Sequence, residues 1–106
     1  MAWILLGIAG LLEIAFAFGV KWSEGFTRLM PGVFAISVGL LSTYLLSRSL
    51  RTLPMGTGYA VWTGIGAAGT AIVGVAVLGD SAAPMRVLCI ALIIAGVIGL
   101  KLVSAS

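Results

Sequence analysis

Apolar residues dominate four stretches of the chain, approximately 2–20, 30–47, 55–78 and 85–103, with short polar connections between them. Each stretch is long enough to cross a hydrocarbon layer of about 30 Å as a helix rising about 1.5 Å per residue. A closed barrel is excluded, because its strands alternate polar and apolar positions and these runs do not. Pro31, Pro54 and Pro84 fall at the openings of the second, third and fourth stretches, where a missing backbone N–H costs nothing. Trp3 and Trp22 bracket the first stretch, about 28 Å apart along a helix, a spacing that suits two rings at opposite headgroup levels. That stretch lacks a cationic start and carries a carboxylate in its middle, so it reads as a span and not as a cleavable leader. The pattern predicts an all-α membrane protein, with residues 1–106 forming one four-helix transmembrane domain.

Composition narrows the function. The chain is 61% hydrophobic and only 8% charged, with a mean hydropathy of +1.26, whereas a soluble domain carries about 25% charged residues. Histidine is absent, and the acids are Glu13, Glu24 and Asp80. No nucleophile, base and orienting group can be assembled from these types, so an enzyme is not expected, nor a resident cofactor. The single cysteine, Cys89, lies in an apolar run. It reads as a small buried hydrophobe, with neither a disulfide framework nor a metal site available to one chain. The net charge of +3 is spread over membrane-flanking positions, so nucleic acid is not an expected partner.

The basic residues bear on orientation. Arg48, Arg51 and Lys101 fall on the side of the termini, and Lys21, Arg28 and Arg86 on the opposite side. The positive-inside rule therefore gives almost no preference. Dual topology is predicted, with two copies of opposite orientation pairing as an antiparallel dimer and reproducing the inverted-repeat design of larger transporters. The alternative is one fixed orientation and a paralogous partner subunit. Some oligomer is needed in either case, because four thin helices cannot both pack together and enclose a water-accessible site. Cys89, Leu92, Gly96 and Gly99 lie along one stripe of the fourth helix, a candidate dimer seam that lipid-facing packing explains equally well.

Glu13 stands alone among the charged residues, midway along the first span. A charged side chain at a helix centre costs about 2.5–3.5 kcal/mol by insertion scales, which calls for a compensating role. A carboxylate that holds either a proton or a cation, but not both, is what antiport requires. Its helical neighbours are Ala9, Gly10, Phe16 and Ala17, small residues beside one aromatic wall. In the third span, Tyr59, Trp62, Thr63 and Gly66 share a face. Aromatic rings attract cations by about 0.5–2 kcal/mol, although an interfacial aromatic belt would give the same pattern. Ser42 and Thr43 offer polar contacts from the second span, or bonds to their own helix. The Gly64-Ile65-Gly66 step is a candidate hinge or a close-packing point. The predicted function is proton-driven export of small organic cations. A non-transporting membrane subunit or a pore is the rival from another class.

These residues resemble the small multidrug resistance transporters over essentially the whole length. The matching pieces are Gly10-Leu-Leu-Glu13, Lys21-Trp-Ser-Glu-Gly-Phe-Thr-Arg28, Pro54-Met-Gly-Thr-Gly-Tyr-Ala-Val-Trp-Thr-Gly-Ile-Gly66 and Gly99-Leu-Lys101. The resemblance implies an antiparallel dimer in a cytoplasmic (inner) membrane. Its paired copies of Glu13 would bind protons and cationic substrate alternately, with Tyr59 and Trp62 lining the site. The fourth helices would form the seam, and the third would bend around Gly64 to Gly66. Within the family, Trp62-Thr-Gly-Ile-Gly-Ala67 and the closing Gly-Leu-Lys look like the guanidinium exporter branch, in which Gly10, Glu13, Ser42, Tyr59 and Trp62 surround the substrate. That branch usually has tryptophan where this chain has Phe16, so an indole donor beside Glu13 is missing. The multidrug branch, which exports quaternary ammonium ions, carries a Gly-Thr pair after its glutamate that is missing here too. A heterodimer-forming branch is the third subtype to be distinguished.

Overall fold

A computed structural model describes residues 1–104 of the protein. It contains four helices, α1 (Ala2–Trp22), α2 (Leu29–Ser49), α3 (Met55–Leu78) and α4 (Pro84–Val103), each long and apolar enough to cross a membrane. The prolines sit near helix starts as expected: Pro31 in the first turn of α2, Pro54 as the N-cap of α3, and Pro84 as the first residue of α4. The first helix runs two residues beyond the apolar stretch, because Lys21 and Trp22 are compatible with a helical last turn near the headgroups. Ser23 then stops it. The fully buried Ser23 hydroxyl donates to the Val20 carbonyl at 2.7 Å and accepts the Phe26 N–H at 3.0 Å. Glu24, Gly25 and Phe26 all take positive φ, which reverses the chain within a few residues.

Glycines set the helix crossings. Packing between membrane helices relies on close approach, since lipid tails compete equally for apolar side chains. At Gly10 a Cβ would come 2.6 Å from Ile65 Cγ2, and at Gly39 one would come 2.7 Å from the Phe16 ring. Gly64 receives Val97 of α4 in the same way. As a result α1 packs on both α2 and α3, while α4 touches only α3 along its backbone. The residues at the α1, α2 and α3 junction form the core, with Leu6, Ala9, Leu46 and Val61 buried and Trp3, Leu50, Trp62 and Ile65 packed around them.

The third helix is unbroken across Gly64, Ile65 and Gly66. Both glycines are occupied by neighbours: Gly64 by Val97, and Gly66 by the Cβ and Cγ of Glu13. Cys89 differs from its expected burial. It is exposed, because α4 contributes no buried residue at all. Gly96 and Gly99 on the same helix have nothing within 4 Å of a Cβ position. The stripe expected as a seam is therefore open in the single chain. One side-chain contact ties the end of α4 to α1, where Lys101 Nζ lies 4.9 Å from the centroid of the Trp3 ring.

Candidate functional site

Glu13 lies against α3. Its side chain rests on Gly66, where a Cβ would meet the Glu13 Cβ and Cγ at 3.1 Å. Glu13 borders an open cleft of about 480 Å³ lined by Ala17 from α1, Thr63, Gly66 and Thr70 from α3, and Asp80 and Arg86 from beyond the end of that helix. Glycine at position 66 thus lets α1 approach closely enough for a carboxylate and the Thr63 hydroxyl to share one space.

A second group of predicted residues lies on the neighbouring side of α1. The buried Ser42 hydroxyl of α2 donates to the Ala9 carbonyl at 2.7 Å, and the Trp62 indole N–H donates to that hydroxyl at 3.0 Å. Three helices are joined through one oxygen. In the helical ladder the Ala9 carbonyl is also the acceptor for the Glu13 N–H, so the hydrogen-bonded chain ends at the backbone of the acid. The Trp62 ring packs on Tyr59 with centroids 5.4 Å apart and planes at 52°, a tilted geometry typical of favourable aromatic pairs. Tyr59 itself is half exposed, on the turn of α3 preceding Thr63.

Not every predicted residue joins these groups. Phe16 turns onto Gly39 of α2 and does not line the cleft beside Glu13. Gly10 seats Ile65, so its role in the single chain is helix approach. Thr43 bonds its own helix at the Gly39 carbonyl, 2.9 Å away. Thr70 was not singled out by the sequence, although it lies seven residues after Thr63, a spacing that returns to the same helical face. Asp80 and Arg86 read as connection residues. What brings them to the cleft is the turn at Gly79, in the left-handed region with φ 72°.

The fold and this site define a multi-pass membrane protein with a single acid at mid-span, bordering a cleft that Thr63 and Thr70 also line. Comparison with known proteins makes the class specific. A family model described as Small Multidrug Resistance protein matches residues 1–93. A protein of Citrobacter freundii named guanidinium exporter is 57% identical over 102 residues, covering 96% of this chain and 97% of that one. The guanidinium exporter of Salmonella typhimurium strain LT2 is 55% identical over 102 residues, with the same coverage of both chains. That of Yersinia pseudotuberculosis is 55% identical over 104 residues, covering 98% of this chain and all of that one. The chain belongs to the small multidrug resistance family.

Proposed function

We propose that the protein is a proton-coupled antiporter that exports guanidinium-type cations across the cytoplasmic membrane, working as an antiparallel pair of identical chains. The observation that carries this reading is the seating of Glu13 on Gly66, at the edge of a cleft shared with the Thr63 hydroxyl. The names of the exporters from three bacterial genera, matched over nearly full length, support the cargo. Guanidinium is planar and rich in N–H donors, so it rewards a carboxylate that accepts two bonds at once. Thr63 offers a further acceptor, and the Tyr59 and Trp62 faces favour a cation. Ser42 acts as a positioning residue, fixing the indole through its N–H.

Exchange follows from competition for one group. A proton on Glu13 removes the charge that holds the cation, and a bound cation excludes the proton. Gly64 and Gly66, with no side chains of their own, are the proposed joint at which α3 flexes as the site changes sides. The open face of α4 supports pairing through Cys89, Leu92, Gly96 and Gly99. Acting by solute movement alone, the protein carries out no covalent chemistry.

Vesicles reconstituted with the protein, with guanidinium more concentrated outside than inside, test this. An inward proton gradient drives guanidinium out against its own gradient, and Glu13→Gln abolishes that coupling. Passage that survives the substitution supports a pore instead. A second cargo reading draws on Phe16, which turns onto Gly39 and leaves the Glu13 cleft without the indole donor that the branch it resembles usually has at that position. Quaternary ammonium ions lack N–H donors and depend on apolar and aromatic walls, so a tetraalkylammonium binding more tightly than guanidinium favours the multidrug subtype.

A further inference from the structure

The cleft that Glu13 borders extends along α3, and its far end is built around a second carboxylate. Gly66, Thr70 and Gly74 follow one another at four-residue steps on one face of the helix, about 6 Å per step. Glu13 rests on the first of them, and the third is covered by Asp80, whose Oδ2 would lie 2.5 Å from a Cβ at Gly74. The chain reversal explains this placement. Gly79 takes a left-handed conformation, and the Asp80 N–H donates to the Gly74 carbonyl at 3.1 Å, a capping bond that folds residue 80 back onto the helix it has just left. The Asp80 side chain therefore lies along α3 at the cleft. Arg86 borders the same mouth, its guanidinium donating to the Ser81 carbonyl and keeping its positive charge. Any effect of Asp80 on a cation is therefore the difference that its own charge makes against that fixed background.

We propose that Asp80 is the receiving group for cations on their way to Glu13, and that the Thr70 hydroxyl is the polar step midway between the two carboxylates. This rests on the reading of Glu13 as the exchange site. Two carboxylates on glycines eight residues apart stand about 12 Å from one another along the helix. That separation is too long for one cation to bridge and short enough for the outer charge to raise cation concentration at the inner one. At such a distance a single charge changes the local population of a monovalent cation by about twofold in a water-like medium and about tenfold at an effective dielectric of 20. A hydroxyl halfway along gives the partly dehydrated ion an oxygen in an otherwise apolar wall.

Guanidinium transport by reconstituted vesicles, measured at ionic strengths of about 0.01 M and about 1 M, tests the assignment, because the Debye length falls from about 30 Å to about 3 Å between them. At low salt, Asp80→Asn is expected to raise KM about two- to tenfold with the maximal rate and proton coupling unchanged, and the gap should close at high salt. Asp80→Glu, which keeps the charge, is expected to restore the low-salt KM. Gly74→Ala, which displaces the carboxylate without removing it, gives a smaller change in the same direction. An unchanged KM at low salt, or a defect that is equal at both salts, overturns the role of Asp80. Thr70→Val is expected to slow transport, with Thr70→Ser restoring it; an unaltered rate in Thr70→Val removes the intermediate step. If the wild-type protein carries no guanidinium against a proton gradient, the exchange reading itself fails and this inference falls with it.

Discussion

Ser42 illustrates how much a single oxygen can organise in a membrane protein. Its hydroxyl is fully buried, donates to α1 and accepts from the Trp62 indole of α3. Replacing it with alanine strands the indole N–H in an apolar setting, at a cost of about 1–3 kcal/mol. We expect Ser42→Ala to lower thermal stability in detergent and to loosen guanidinium binding, with Ser42→Thr recovering part of both; calorimetry and tryptophan fluorescence report the two effects. An alanine variant with wild-type stability would contradict the bond. At this scale the sequence was only half legible. Glu13 was conspicuous because charge in hydrocarbon is rare, and the aromatic face of α3 followed from spacing. Which hydroxyl would leave its own helix was not visible. Adjacent residues Ser42 and Thr43 make opposite choices, since only the former faces α1, and that depends on the rotation of α2 about its axis.

The helices themselves were readable from hydropathy and proline position, with ends displaced by a turn or less. The displaced ends have local causes: Ser23 closes α1 through its own hydroxyl, and the first turn of α2 opens before Pro31. What hydropathy did not reveal is which helix touches which, because lipid and helix surfaces are equally apolar. That information sits in the glycines and becomes legible only with the partner in view. At Gly64 a Cβ would lie 2.5 Å from Val97 Cγ2, so Gly64→Ala is expected to push α4 away and destabilise the protein by about 1–3 kcal/mol. Val97→Ala opens the space that the added methyl needs. In a double-mutant cycle of unfolding in mixed micelles the pair should lose less than the sum of the single variants. Strict additivity would place the two helices apart.

For the whole molecule, the even split of basic residues between the two sides is the basis for expecting no preferred insertion direction, and the fold adds a reason for pairing that composition could not supply. The fourth helix packs its backbone against α3 alone and keeps none of its residues buried. If two such chains pair as proposed, the output of the protein becomes a matter of how often two chains meet. Spreading a fixed amount of protein through increasing lipid is expected to lower transport per chain once the vesicles carry one copy on average, with the initial rate rising as the square of copy number in the dilute range. A rate linear in copy number down to single occupancy would assign the activity to the lone chain. If the square law holds, a cell has a simple means of control: halving synthesis of the protein would reduce export by more than half, without any change in the protein itself.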